Sequence, residues 1–440
     1  MNLKGNINPM DHILIRDDAF SELIALKMLK IDGPRNITFG EGFLKLTDMN
    51  ILDLSGITGH CSFQKIWQGF FKYLPNLTYI DVSACEILHV YDGAFGSLPF
   101  LKHLDISHNN RLGFASLPNI TKNLDKTAIE IFRFNGINCL TGTGTKIRTC
   151  HLINLKDTKI TELYIEKNRL EQFEAGAIKV LPKTLKKVSL GENKLTQGKY
   201  MIDYFSVESV RIFNISVQLR PAPFPWSIFE NCIEKHDDCE FSFSENDRRT
   251  DAERSTDILF RTNDKGLITF NIPRSAEIIY ANSSRLYTAI PEFGLNSKGF
   301  REFYLQDNFF YSWIGPVHGI ENLTIIDLSN NFCSNISQFF FKYATGIQIL
   351  NLSKNDIVEI DSLPGILLTI LKQNSYLEYP KEECAYDVFW EKFQSLIEQD
   401  VMSDMEHEIK PTIMQDNLSD IEKDFVCDTE PLITPDIEQG

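Results

Sequence analysis

The chain has 440 residues, of which 43% are hydrophobic and 24% are charged, and its formal net charge is -16. This composition is typical of a globular protein and excludes a wholly disordered one. The negative charge argues against nucleic acid as a partner, because binding to phosphates requires clustered Lys and Arg. Residues 381 to 440 hold 17 acidic and 4 basic residues, so most of the excess charge lies in that segment.

One pattern recurs about every 24 residues along the chain. It has the spacing L-x-x-L-x-L-x-x-N and is clearest at 323 to 357, where it occurs twice. Alternate residues of its x-L-x-L-x core point in opposite directions, so Ile326 and Leu328 are expected inside and Asp327 outside. The sequence therefore predicts an α/β repeat solenoid, a leucine-rich-repeat horseshoe with a parallel β-sheet on its concave face.

The composition changes along the chain divide it into five predicted segments. These are leucine-rich repeats at 1–217, a Cys-containing polar insertion at 218–274, further repeats at 275–365, a candidate helical end segment at 366–400, and an acidic, disordered tail at 401–440. Leu3 and Asn6 already fit the end of the repeat pattern, so the array is predicted to start without an N-terminal cap. Such a start is expected inside a longer chain or at an alternative start site.

The polar residue that ends each repeat is predicted to pair backbone groups where the chain leaves the strand. We call it the ladder residue. The predicted ladder residues are Cys85, Asn109, Asn168, Asn193, Asn308, Asn331 and Asn355. In the repeat that begins at Val207 this position falls on Ile215, so that repeat is degenerate. Loss of the Asn331 amide is expected to destabilise the fold by a few kcal/mol, and Asp327→Ala to change stability little.

Two pairs of closely spaced cysteines are candidate disulfides. Cys139 and Cys150 flank the segment TGTGTK, which lacks the G-x-x-x-x-G-K-[ST] spacing of a phosphate-binding loop, so a loop closed by a disulfide is expected instead. Cys232 and Cys239, with His236 between them, could ligate a metal. Structural zinc has four ligands at characteristic spacing, however, and a local disulfide fits better. No metal and no cofactor are predicted.

The sequence contains no recognised catalytic motif, so the chain is not predicted to be an enzyme. His103, Asp105 and His108 are close in sequence, but Asp105 holds the outward strand position that is also Asp in other repeats, and we interpret it as a solvated repeat residue. Solenoids bind partners on their concave sheet. The candidate ligand-binding residues on this face are Tyr79, His103, Arg133, Glu162, Tyr164, Arg211, Tyr280 and Tyr304.

The chain carries about twice as many N-x-[ST] glycosylation sequons as chance predicts. The candidate sites are Asn36, Asn76, Asn119, Asn214, Asn282, Asn322, Asn335 and Asn351, with a further sequon at Asn417. Sequons and paired cysteines favour an extracellular or cell-surface protein. No signal peptide and no membrane span are recognised, which predicts a cytoplasmic location if the chain is complete as given.

The repeats with their Asn ladder, the turns DDAF at 17 to 20 and DGAF at 92 to 95, and the phrase IPRSAEIIYANSSRLYTAIPEF at 272 to 293 resemble extracellular domains of Toll-like receptors, especially invertebrate ones. The resemblance covers residues 1 to 365. It implies a module that recognises protein or microbial ligands in innate immunity, within a receptor that forms homo- or heterodimers and signals through a TIR domain. This sequence shows no TIR domain, so binding without signalling is expected. The alternative is an intracellular leucine-rich-repeat scaffold for protein interactions.

Overall fold

The computed structural model describes residues 1–5, 19–34, 37–57, 59–139, 145–174, 176–195, 207–218, 260–262, 268–270, 272–286, 289–290, 292–295, 297–337, 339–357 and 376–378. The chain divides into two compact units, Met1–Glu382 and Glu383–Gly440, and the described residues lie in the first. Cys232, Cys239, Asn36, the acidic tail and most of the predicted insertion lie outside the described residues, so the predictions made for them stay predictions.

The described residues form a main sheet of fourteen short strands that pair in the order of the sequence, each parallel to the next. The strands are Asn2–Leu3, Met28–Ile31, Ile51–Asp53, Tyr79–Asp81, His103–Asp105, Ile131–Arg133, Glu162–Tyr164, Lys187–Ser189, Ile212–Asn214, Ile278–Tyr280, Glu302–Tyr304, Ile325–Asp327, Ile349–Asn351 and Tyr376–Glu378. Each coil of the chain thus adds one strand to the sheet.

The alternation of the repeat explains this arrangement. The middle residue of the strand points into the coil, and Leu52, Ile80 and Leu104 are each 0% exposed. They are also direct partners across the sheet, Leu52 with Ile80 and Ile80 with Leu104. Stacking of identical positions builds one continuous apolar core. The predicted fold class, a leucine-rich-repeat solenoid with a parallel sheet, is confirmed.

The rest of each coil consists of turns and short elements. The α-helices among the described residues are Leu117–Thr121 and Thr149–Leu152, and the 3-10 helices are Glu41–Lys45, Phe114–Ser116, Leu124–Lys126, Ile153–Leu155 and Ala177–Val180. The described residues also form four small sheets: Lys65–Ile66 with His89–Val90, Thr145–Ile147 with Leu170–Phe173, Ala289–Ile290 with Ser312–Trp313 and Asn335–Ile336, and Phe260–Thr262 with Ile268–Phe270, Phe293–Leu295 and Val317–His318. Their strands are parallel except for Phe260–Thr262, which is antiparallel to Ile268–Phe270.

Phenylalanines fill the coils away from the strands. Phe43, Phe71 and Phe95 are at most 2% exposed. The rings of Phe71 and Phe95 stack with centroids 5.6 Å apart, and Phe39 contacts both Phe43 at 5.1 Å and Phe71 at 6.3 Å. Aromatic contacts therefore join neighbouring coils on this side as strand pairing does on the other.

Asn109 shows the bonds that the ladder residues make. Its Oδ1 accepts hydrogen bonds from the backbone N–H groups of Cys85 (2.9 Å) and Ile87 (3.0 Å) on the preceding coil. Its Nδ2 donates to the carbonyls of Val82 (2.9 Å) and Ile106 (2.8 Å). The other Asn residues that bond the preceding coil through both amide atoms are Asn168, Asn193, Asn308, Asn331 and Asn355.

The structure corrects the register of one repeat. The pattern that starts at Val207 placed Arg211 at the outward strand position and Ile215 at the ladder position. The strand is instead Ile212–Asn214, in which Asn214 pairs with Ser189 and takes the outward position. Arg211 immediately precedes the strand. The prediction of Arg211 as a central residue of the sheet face is therefore wrong.

Gln218 holds the ladder position of this repeat. Its Nε2 donates to the carbonyls of Leu190 (2.9 Å) and Ile215 (3.1 Å), and its Oε1 accepts from the N–H of Leu195 (2.9 Å). Both registers place apolar residues at the inward positions, so only the last position distinguishes them. A Gln carries the same amide as Asn on a longer stem, and a search for Asn alone misses it.

The outward Asp of the repeat has a bonding role, which corrects its interpretation as a solvated residue. Oδ1 of Asp53 accepts hydrogen bonds from the N–H (3.0 Å) and the hydroxyl (2.9 Å) of Ser55, and Asp53 is only 7% exposed. Oδ1 of Asp327 binds Ser329 in the same way, at 3.0 and 2.7 Å. The same N–H bond, to the residue two positions further on, is made by Asp81, Asp105, Asn214 and Asn351. These side chains close the turn that follows each strand.

Cys61 and Cys85 form a disulfide that was not predicted. They are 24 residues apart, which is one repeat, so the disulfide joins neighbouring coils. Cys85 therefore combines the predicted ladder position with a covalent link. Cys139 and Cys150, the predicted pair, are both disulfide-bonded. Among the described cysteines, Cys333 is free and buried.

Candidate ligand-binding face

The first and third residues of the main-sheet strands point outward and form the surface that we call the concave face. Strand register places these residues in two rows that run along the solenoid, with neighbours about 4.8 Å apart. The first row includes Tyr79, His103, Glu162 and Lys187, and the second includes Asp81, Asp105, Arg133, Tyr164, Ser189, Asn214, Tyr280 and Tyr304. Seven of the eight predicted ligand-binding residues lie in these rows, and Arg211 does not.

An acidic part of the concave face surrounds a stacked ring pair. The Tyr79 and His103 rings lie with centroids 4.5 Å apart, beside Asp81 and Asp105. Burial and the nearby carboxylates raise the pKa of Tyr79 to about 12. Burial and the charge of Arg133 lower the pKa of His103 to about 4, so its ring is neutral at physiological pH.

Within this acidic part of the face, the Asp81 carboxylate is less well compensated by its surroundings than the Asp53 carboxylate. Burial raises its pKa, and the carboxylates of Asp105 and Asp53 raise it further, against the hydrogen bond from the Ser83 N–H. Asp53 itself is neutralised by Lys4, whose Nζ lies 3.2 Å from Oδ1. This end of the face therefore favours a cationic group on a partner.

The middle of the concave face is a cluster of cations on one aromatic ring. The Arg133 guanidinium lies 4.2 Å and the Lys187 Nζ 4.9 Å from the centroid of the Tyr164 ring. The Tyr164 hydroxyl donates to Glu162 Oε2 at 2.6 Å, which holds the ring in place. Cation–π contacts of this kind fix the direction of both positive groups. Nε of Arg133 is buried and finds no hydrogen-bond partner within the described part of the chain.

Two stacked tyrosines lie further along the second row. The Tyr280 and Tyr304 rings are parallel within 10° with centroids 4.8 Å apart. The Tyr304 hydroxyl donates to Glu302 Oε2 at 3.2 Å. Burial and the charge of Glu302 raise the pKa of Tyr304 to about 12, so the phenol stays protonated.

Arg211 lies in an ion-pair cluster at the start of the strands. Its Nη1 is 3.6 Å from Glu277, and Glu277 also receives a bond from Arg301 Nη2 at 2.6 Å. Lys187 lies on the concave face beside Glu162 and was missed among the candidates. Its position two residues before the outward Ser189, equivalent to that of Glu162 before Tyr164, is the signal that would have found it.

Two sequons, Asn214 and Asn351, coincide with residues of the concave face. Asn214 Nδ2 donates to Ser189 Oγ at 2.8 Å while its Oδ1 accepts from Ser216. Asn351 Oδ1 accepts from the N–H of Ser353 at 3.0 Å. Both side-chain amides thus hold the outward strand position and make the same turn-closing bond as the outward Asp of other repeats. Asn282, two residues after Tyr280, is half-buried.

The described residues show neither a metal-binding cluster nor a membrane-spanning helix. They contain no group of three or more His, Cys, Asp or Glu side chains that could hold a metal ion. Within the same residues, no helix is long and apolar enough to cross a membrane.

Comparisons with known proteins agree with the fold. Residues 59–112 match the family model described as leucine-rich repeat. Over 381 residues, 81% of this chain, the sequence is 32% identical to Toll-like receptor 4 of Pinctada imbricata, and the match covers 42% of that protein. The chain is a leucine-rich-repeat protein similar in sequence to this Toll-like receptor. It spans less than half the length of this relative.

Solved structures of a Toll-like receptor and of Toll share the fold of this chain. The TLR13-ssRNA13 complex matches with a TM-score of 0.50 and 16% identity, over 82% of this chain and 47% of that one. The complex of Drosophila Toll with Spatzle gives 0.50 and 16%, over 80% and 42%. The prediction that the chain is not an enzyme agrees with its homology to a receptor.

Proposed function

We propose that this Toll-like-receptor homologue is the ligand-recognition module of an innate immune receptor and binds its ligand on the concave face. The sequence identity to Toll-like receptor 4 of Pinctada imbricata carries the proposal. Of the structural neighbours, one is in complex with RNA and one with the protein Spatzle, so repeats of this fold hold either class of ligand.

The charges on the concave face favour a protein ligand. Asp81 and Asp105 would repel phosphates, whereas they suit Lys or Arg side chains of a partner. The Arg133–Tyr164–Lys187 cluster begins on the strand next to Asp105 and extends two strands further, about 5 to 15 Å from Asp105 along the solenoid, and it suits an acidic side chain. Tyr and Arg are also the residues in which binding energy concentrates.

The proposal is tested by binding measurements on the full chain secreted behind a signal peptide. The chain is screened against a library of secreted proteins and purified bacterial cell-wall fractions. A protein ligand is expected whose affinity falls about tenfold or more in the double variant Arg133→Ala/Lys187→Ala, because two anchoring charges are lost. The matched control is Lys122→Ala, which removes a cation that pairs with Asp92 outside the concave face. Ligands that bind both variants equally would contradict the concave-face site.

An extracellular location is part of the proposal, and the disulfide between Cys61 and Cys85 supports it, since such bonds persist in oxidising compartments. The rival function is an intracellular scaffold. Protein isolated from its natural source distinguishes the two: a mass shift on removal of N-glycans and blocked thiols support the receptor, and an unshifted mass with nine reactive thiols contradicts it. Pairing with a second receptor chain is a further expectation, measured as a ligand-dependent increase in molecular mass.

A further inference from the structure

Two exposed phenylalanines stack against each other on neighbouring coils, outside the concave face. Phe309 is 37% and Phe332 is 55% exposed, and their rings are parallel within 10° with centroids 5.7 Å apart. Each directly follows a ladder residue, Asn308 or Asn331. We call these two rings the aromatic pair. Exposed aromatic surface of this kind usually marks a place that another group covers.

A sequon lies on the same outer surface. Asn335 is exposed and begins the short strand Asn335–Ile336, three residues after Phe332. Three residues of extended chain span about 10 Å at most. Phe332 and Asn335 are exposed while Cys333 and Ile336 are buried, so both exposed side chains project outward from this coil.

The backbone holds the sequon and the aromatic pair in a fixed relation. The Phe332 N–H donates to the Phe310 carbonyl at 3.0 Å, and the strand Asn335–Ile336 pairs with Ser312–Trp313. The segment from Phe332 to Ile336 therefore follows the coil that carries Phe309. A group attached to Asn335 therefore starts within about 10 Å of chain from Phe332.

The Asn335 amide differs from those of Asn76 and Asn322, since its side chain makes no hydrogen bond among the described residues. In contrast, Asn76 Nδ2 donates to the Thr47 carbonyl at 2.9 Å, and Asn322 Nδ2 donates to the Lys298 carbonyl at 2.8 Å. An attached sugar would compete with those bonds but displaces none at Asn335.

We propose that Asn335 carries an N-glycan whose first sugars lie on the aromatic pair. In the transfer, Nδ2 of Asn335 bonds to C1 of an oligosaccharide donated by a lipid diphosphate. The bond from C1 to the diphosphate oxygen breaks, the diphosphate leaves with the electron pair, and one amide proton passes to the medium. No oxidation or reduction takes place.

A sugar ring is well suited to cover the aromatic pair. One face of an N-acetylglucosamine ring presents C–H groups, which pack on aromatic rings and remove apolar surface from water. The glycan would also separate Phe309 and Phe332 from other molecules in solution. The inference rests on the extracellular location proposed above. In the test a signal peptide exports the protein, so an unglycosylated Asn335 would contradict this inference without bearing on the natural location.

The test uses the full chain secreted from a glycosylating cell. Glycopeptide mass spectrometry is expected to find Asn335 occupied, and Asn335→Gln to lose that glycan. Release of the Asn335 glycan by an endoglycosidase is then timed on the native protein. Loss of a stacking contact is expected to speed release about fivefold in Phe309→Ala/Phe332→Ala. Phe100→Ala, which removes a 56% exposed ring on another coil, is the matched control and is expected to leave the rate unchanged.

The outcomes separate the glycan from other occupants. An unoccupied Asn335 in secreted protein, or equal release rates in the wild type and the double variant, overturns the proposal. A glycosylated wild type that dimerises through Phe332, shown by loss of the dimer in Phe332→Ala, also overturns it. Self-association that appears only in Asn335→Gln supports the proposal, because the uncovered rings of Phe309 and Phe332 can then pack against a second molecule. Circular dichroism and secretion yield check that the variants fold, and the single Phe332→Ala variant replaces the double one if they do not.

Discussion

A ladder amide forms hydrogen bonds with four backbone groups at once, which makes it the hardest residue of each repeat to replace. Asn109 is 1% exposed and bridges two coils through Oδ1 and Nδ2. Asn109→Ala leaves two N–H and two C=O groups buried without this partner, and we expect a loss of about 3 kcal/mol in the free energy of unfolding. Asp327→Ala removes only the two bonds that the half-buried Asp327 side chain makes to Ser329 and is expected to cost about 1 kcal/mol. Urea unfolding measures both, and equal losses would contradict the ladder.

Two neighbouring carboxylates are expected to respond to acid in opposite ways. Burial raises the pKa of Asp53, but the hydrogen bonds from Ser55 and the charge of Lys4 outweigh burial and hold this pKa below its ordinary value. A lowered pKa gives stability that is present above about pH 4 and lost as the pH falls through the folded-state pKa. Asp81 has a raised pKa, so its ionised form opposes folding at neutral pH.

The acid response is measured with two Asn variants. Asp53→Asn is expected to lower the melting temperature at pH 7 and to weaken its fall between pH 4 and pH 2, because the ion pair with Lys4 is already gone. Asp81→Asn keeps an oxygen acceptor for Ser83 and removes an unfavourable charge, so no loss at pH 7 is expected. A lower melting temperature for Asp81→Asn than for Asp53→Asn would contradict the assignment.

At the scale of elements, the Cys61–Cys85 disulfide links two coils that also share a ladder contact. It closes a segment with a sequence separation of 24 residues, and such a loop contributes about 3 kcal/mol in the chain-entropy account. Cys61→Ala is therefore expected to lower the free energy of unfolding by about this amount. Addition of a reductant should lower wild-type stability and leave Cys61→Ala nearer its starting value. No difference between the variant and the wild type under oxidising conditions would show that the bond does not form.

The elements were predictable where the pattern repeats without ambiguity. The inward Leu and Ile of each strand and most ladder residues follow from spacing alone. Side chains alternate between inside and outside along each strand, and the whole pattern recurs once per coil. The repeat around Val207 failed since two registers bury equally apolar residues and Gln218 replaces the expected Asn. The Cys61–Cys85 bond was missed because its signal, a separation of one repeat, lies in the coil geometry and not in short-range spacing.

At the scale of the whole molecule, the candidate site is a property of stacking. No short motif contains Tyr79, Arg133 and Tyr280, which come to lie on one face only when the coils align. Seven of the eight predicted binding residues could be placed from the repeat, since each holds a fixed position in its strand. The cation–π contacts of Tyr164 and the charge compensation of Asp53 depend on side-chain packing between coils, which the sequence pattern does not encode.

Each coil contacts mainly its neighbours, so damage is expected to stay local. In a solenoid, stability is approximately a sum over repeats and their interfaces. Asn109→Ala weakens the interface between the coils that contain the strands Tyr79–Asp81 and His103–Asp105. Amide hydrogen exchange is expected to rise most in those strands and in Ile131–Arg133, because local opening reflects the loss of nearby bonds. The strands Glu302–Tyr304 and Ile325–Asp327 serve as an internal reference with an expected change close to zero. Asn308→Ala is the reciprocal variant and should reverse the pattern, whereas a uniform rise along the chain in both variants would show that the array unfolds as one cooperative unit.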